Sequence, residues 1–166
     1  VNLNDKIFKA ISKAKIDHDI EQFEYLAASG YDIKKFHELA RLYKTVSSEI
    51  NCTLDTDILP LSDKHQSLLG DTYNRPIHIL EAPALDESAI GDSFDVNKIT
   101  EDYFEHEFGL TYFDNFLSPT TLKSLREFLL GSTIWFDFFH GGGYMGAMLN
   151  EGLASPLILQ IAEDLR

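Results

Sequence analysis

Six histidines and one cysteine are the side chains from which metal binding or nucleophilic chemistry would have to start in this sequence. His37-Glu38 opens like the helical zinc motif, in which a second histidine one turn later completes the nitrogen pair, but position 41 is Arg. One imidazole and one carboxylate do not hold a catalytic metal, so this pair reads as helix surface. Asp102 and His106 stand four residues apart, on one face of a helix, beside Glu101, Glu105 and Glu107. A divalent ion could visit such a cluster. Carboxylate-bridged bundles need Glu-x-x-His on two facing helices, however, and Tyr103 stands where that Glu belongs, so solvated charge is the plainer reading. His18, His65, His78 and His140 lie on separate segments, and none begins His-x-Asp or His-x-Glu. That triplet is what sets two ligands on one face of a strand in a two-histidine, one-carboxylate iron site. Cys52 has no evident base or basic neighbour and reads as a structural thiol.

His140-Gly141-Gly142-Gly143 matches the oxyanion-hole glycines of lipase-type hydrolases, but the G-x-S-x-G elbow that would supply the nucleophile is absent. Three glycines between two aromatic runs are more simply a hairpin turn. No catalytic, cofactor-binding or metal-ligating residue is therefore assigned. What remains are candidate pocket or partner contacts. Trp135 and Tyr144, with Phe136, Phe138 and Phe139, serve either a core or a cleft, and core packing is the plainer reading. Tyr73, Asn74 and Arg75 follow Thr72 in a region rich in loop residues, where polar and aromatic groups together suit recognition. Arg75 is the one base between Lys64 and Lys98, suited to pair with a carboxylate of the protein or of a ligand.

The elements that must position these groups fall into three stretches. Residues 1–50 read as a helical, repeat-like segment of three helices. Asn4 caps the first, with Ile7, Phe8 and Ile11 on one face. Asp17 or Asp19 caps the second, which Gly30 stops. Asp32 opens the third, with Ile33, Phe36, Leu39, Ala40, Tyr43 and Val46 at helical spacing. Residues 51–97, broken by Pro60, Gly70, Pro76, Pro83 and Gly91, read as a long ordered connection with short extended pieces such as Pro76 to Leu80. Residues 98–166 read as α+β. A helix capped by Asp95 runs to Gly109, and strands are expected over 110–116, 134–139 and 144–149. Ser118-Pro119 and Ser155-Pro156 each start a helix, the first with Leu122, Leu125, Phe128 and Leu129 on one face and the second with a buried stripe of Leu157, Ile158, Ile161 and Leu165. The fold class is thus α+β: an N-terminal helical segment, then helices packed on a small, mainly antiparallel sheet.

Charge narrows the partners. Residues 1–50 hold eight bases and eight acids, so the net −13 lies entirely beyond them. Between Glu81 and Glu107 nine acids face only Lys98, a surface that repels nucleic acid and anionic lipid alike. No run approaches the ~20 apolar residues of a membrane span, no signal-peptide core opens the chain, and the lone cysteine allows no internal disulfide. Cytoplasm is the expected location.

Phe113-Asp114-Asn115-Phe116-Leu117-Ser118-Pro119, followed by Leu122-Lys123-Ser124-Leu125-Arg126-Glu127-Phe128, resembles the strand and leucine-serine-proline helix that open many 2-oxoglutarate/Fe(II)-dependent oxygenases of prolyl-hydroxylase type. Ser132 to Trp135, Gly143 to Ala147 and Leu159 to Arg166 look like the next part of one bacterial branch. There Thr72 to Arg75 and Glu81 to Pro83 also have counterparts, and a helical repeat often comes first. The resemblance implies an incomplete double-stranded β-helix and a dioxygenase that hydroxylates an unknown substrate. Fe(II) and 2-oxoglutarate are expected only where the downstream barrel, which carries their ligands, is present. The final helix has no stop signal before Arg166, so the chain reads as the front portion of such an enzyme, inactive alone. Its partner would be the remainder of the oxygenase domain or a protein that completes the sheet. The alternative is a non-enzymatic interaction module with an acidic surface.

Overall fold

The computed structural model describes residues 9–140 and 142–166, so the helix expected from Asn4 through Ile7 and Phe8 lies outside the described residues apart from its end. Ile11 of that expected helix is in a strand. Ala10–Ile11 (β1) pairs antiparallel with Leu59–Pro60 (β2), Ala10 opposite Pro60. Among the described residues six α-helices complete an α+β fold: Lys13–Ala28 (α1), Ile33–Glu49 (α2), Asp63–Leu69 (α3), Val96–Glu105 (α4), Pro119–Gly131 (α5) and Pro156–Asp164 (α6). The chain groups into two compact units whose bounds differ from the compositional ones at 50 and 97. One runs to Leu80 and takes up Leu129–Ala154; the other is Glu81–Phe128 with Ser155–Arg166.

In the first unit α1 begins earlier than Asp17 or Asp19. Ser12 is its cap, its hydroxyl accepting from the Lys15 N–H at 3.1 Å, which frees Asp19 to face inward. The exit is as expected: Gly30, with φ +89°, lets the chain turn out of α1. Asp32 caps α2 through the Lys35 N–H. Ile16, Ile20, Phe23 and Leu26 of α1 pack against Phe36, Leu39, Tyr43 and Val46 of α2, while Ile33 stays exposed. Phe23 meets the Tyr43 ring edge-on at 5.0 Å. Each such buried side chain contributes about 1.5–3 kcal/mol. The connection also holds a helix that its composition did not announce. Ser62 caps α3 through the His65 N–H, and buried Leu69 joins the core.

The segment 129–154 adds extended chain to this unit. Ser132 Oγ accepts from the Leu80 N–H, and Thr133 Oγ1 from those of Ile77 and His78, so residues 77–80 are held largely by side chains and not by a ladder. The strands expected over 134–139 and 144–149 meet only at Asp137 and Gly146, which exchange both backbone hydrogen bonds. Gly142 and Gly143 adopt positive φ between them, as a turn needs; Gly141 lies outside the described residues.

In the second unit the expected strand 110–116 forms no ladder; the bridge of Leu117 with Ile90 lies just past its end. Alternation of side chains makes a segment able to pair, but a ladder needs a neighbouring strand in register. Asp95 caps α4, which ends at Glu105 and not at Gly109. Ser118 and Ser155 cap α5 and α6 through the N–H groups of Thr121 and Ile158. Phe128 and Leu157 are buried, whereas Leu122 and Leu165, expected on buried faces, are exposed. Helix α6 grips the loop before α4: Gln160 bonds the Leu85 N–H and the Leu85 and Glu87 carbonyls, and Asp164 accepts from the Ala89 N–H. No described helix is long and apolar enough to cross a membrane.

Candidate functional site

Three of the candidate contacts, Asn74, Arg75 and Trp135, line one cleft in the first unit together with Lys15, Asp19 and Gln22 of α1. The other two go elsewhere. Tyr73 is buried in the core beside the cleft, its hydroxyl donating to the Ala10 carbonyl at 3.0 Å. Tyr144 is exposed and does not line the cleft. Trp135 is half-buried; its indole N–H donates to the Leu129 carbonyl at 3.3 Å, and its ring meets His18 edge-on at 6.2 Å.

The floor of the cleft is charged. Lys15 is buried, and its Nζ lies 2.5 Å from both carboxylate oxygens of Asp19 and 5.7 Å from the centre of the Tyr73 ring. His18 Nδ1 lies 3.4 Å from Asp19 Oδ1. Gln22 donates to the Ser132 carbonyl at 2.6 Å and more weakly to that of Leu130. Burial, and after it the charge of Asp19, push the Tyr43 and Tyr73 phenols up from their ordinary value, so both stay protonated near neutrality. The cleft encloses about 10 Å³, far below the ~300–1,000 Å³ of typical ligand pockets. Such a site has room for about one water molecule, which its polar floor would orient.

Lys15, Asp19 and Gln22 were missed by sequence reasoning although a signal was present. They stand at i, i+4 and i+7, within the stripe that Ile16, Ile20 and Phe23 mark as inward-facing. Taking Asp19 as a cap removed it from that stripe.

The other constellations stay apart. Asp102 pairs with Lys98 at 3.1 Å, and His106 Nδ1 accepts from the Phe108 N–H. His37 and Glu38 are exposed. Cys52 is half-buried, with Asp55 Oδ1 at 4.0 Å from its sulfur. His140 meets Asp137 at 2.9 Å, one imidazole on one carboxylate. Among the described residues no three His, Cys, Asp or Glu side chains gather into a metal-holding group.

His78 lies between Tyr31 and Phe36, 4.8 and 5.7 Å from their ring centres. Burial, and secondly the Lys35 charge, hold its pKa below 6.5. As pH falls, the unfolded chain binds this proton before the folded one does. Stability is therefore full above about 6.5 and is lost progressively as pH drops toward the folded-state pKa. Urea midpoints are expected to fall between about pH 7.5 and 5.5, and His78→Gln is expected to flatten that slope. An unchanged slope would assign it to other groups.

Compared with family models, with curated proteins and with solved structures, the chain matches none.

Proposed function

We propose that residues 98–166 open the catalytic domain of a 2-oxoglutarate- and Fe(II)-dependent dioxygenase of hydroxylase type, preceded by the helical segment 1–50 and completed by strands that these residues do not supply. The supporting observation is the state of the segments whose sequence predicts strands. Among the described residues the expected strand 110–116 carries no bridge and 134–139 a single one, while Ser118-Pro119 and Ser155-Pro156 each open a capped helix. Segments of strand-like sequence that find no ladder, with Phe113 40% exposed, are ones that further strands could pair. The sequence resemblance says which strands those would be.

The residues present do not fit iron. Asp137 and His140 offer one carboxylate and one imidazole, and no second histidine joins them among the described residues. Metal and 2-oxoglutarate would be held wholly by the completing strands, so no catalytic step is assigned to this chain's side chains. A single, half-buried cysteine agrees with placement in the reducing cytoplasm.

The test is the reading frame continued past Arg166, together with the intact mass of the native protein. A longer protein with a His-x-Asp, a later His and an Arg, releasing succinate from 2-oxoglutarate when given Fe(II) and oxygen, is the expected result. A native mass of 18.8 kDa would end this reading. The interaction module would then take its place, a second reading favoured by α4, which buries none of its residues.

A further inference from the structure

Helix α4 buries none of its residues, yet its sequence has an apolar side. Val96 is 62% exposed and Phe104 79%, and the chain beyond continues with Phe108 at 80%, Leu110 at 61% and Tyr112 at 93%. A Phe or Tyr side chain offers about 150–250 Å² to a contact. Phe104, Phe108 and Tyr112 alone therefore leave on the order of 500 Å² of mostly apolar surface in water. Gathered under one partner, that area would match the largest patches folded monomers carry, which are commonly functional.

Charge decides what can cover it. Glu101, Asp102, Glu105 and Glu107 interleave with these aromatics, and the one base of the stretch, Lys98, is already held by Asp102. A second copy of the chain would set acid against acid, and nucleic acid or anionic lipid would meet the same repulsion. A polypeptide with the opposite pattern meets none. We infer that residues 96–112 form a docking ridge for a protein partner whose apolar side chains are flanked by lysine and arginine. The aromatics would form the dry centre of the contact and the acids its rim, where charge steers approach and selects the partner. Such docking would operate whether or not the chain belongs to an oxygenase.

The probe is an amphipathic helical peptide of leucine and lysine, titrated against the 166-residue chain by fluorescence anisotropy, with a leucine–glutamate peptide of the same pattern beside it. The lysine peptide is expected to bind, less tightly as salt rises, and the glutamate peptide not to. Phe104→Ser with Phe108→Ser keeps every charge and removes two side chains that lie mostly in water, so the fold should stand; circular dichroism checks that. The double change is expected to weaken binding about tenfold or more, as loss of aromatic anchors does. Binding that survives it is bare charge attraction and overturns the proposal, as does no binding by the lysine peptide. A concentration-dependent mass in sedimentation that the same change abolishes would make a second copy the occupant, which also overturns it.

Discussion

Asp19→Ala is expected to destabilise the first unit by about 3–5 kcal/mol, the usual result of leaving one member of a buried ion pair alone. Lys15 is fully enclosed, and Asp19 supplies both of the oxygens its ammonium reaches at 2.5 Å. The Tyr73 ring face at 5.7 Å is too weak a substitute, since cation–π contacts contribute about 0.5–2 kcal/mol. For a chain of this length the loss corresponds to a fall in Tm of roughly 10 °C. Lys15→Met combined with Asp19→Leu is expected to behave differently. With both charges gone no ion stays buried, and such replacements are commonly neutral or stabilising by about 1–4 kcal/mol. Chemical denaturation of Asp19→Ala and of the double variant checks this. A double variant as unstable as Asp19→Ala would mean that the pair is essential to how α1 sits in its core.

Tyr43→Ala is expected to cost about 3–5 kcal/mol, and Tyr43→Phe only about 0.5–1.5 kcal/mol. The ring is fully buried and meets Phe23 edge-on, so truncation leaves a void between α1 and α2 that neither helix can close by itself. The hydroxyl meets Thr72 Oγ1 at 3.1 Å, and that threonine donates to the Leu69 carbonyl at 2.7 Å. Thr72 therefore keeps a partner when the phenol is removed. The contrast between the two variants separates packing from hydrogen bonding. If Tyr43→Phe cost as much as Tyr43→Ala, the hydroxyl would be the larger contributor and the packing account would fail.

Several helix starts and one helix exit were legible in the sequence itself. Asp32, Asp95, Ser118 and Ser155 are caps in the structure as in the pattern, because a cap is a bond from one side chain to an N–H about three residues on. Gly30 turns the chain out of α1 for an equally local reason. The α+β class follows from such signals. Local reading failed where two signals competed. Ser12 and not Asp17 or Asp19 caps α1, and only burial of the whole face distinguishes an acid that caps from one that pairs inward. Part of the candidate site was legible in the same limited way. Asn74, Arg75 and Trp135 could be named from residue type, but that they share a cleft, while Tyr144 does not, depends on segments some sixty residues apart meeting over Thr133. Only the tertiary structure decided that, and it decided the strands too. Ala10–Ile11 found Leu59–Pro60 across nearly fifty residues, whereas 110–116 found no ladder among the described residues. A helix closes its hydrogen bonds within itself; a strand closes them only against a neighbour, and its own sequence does not say where that neighbour is.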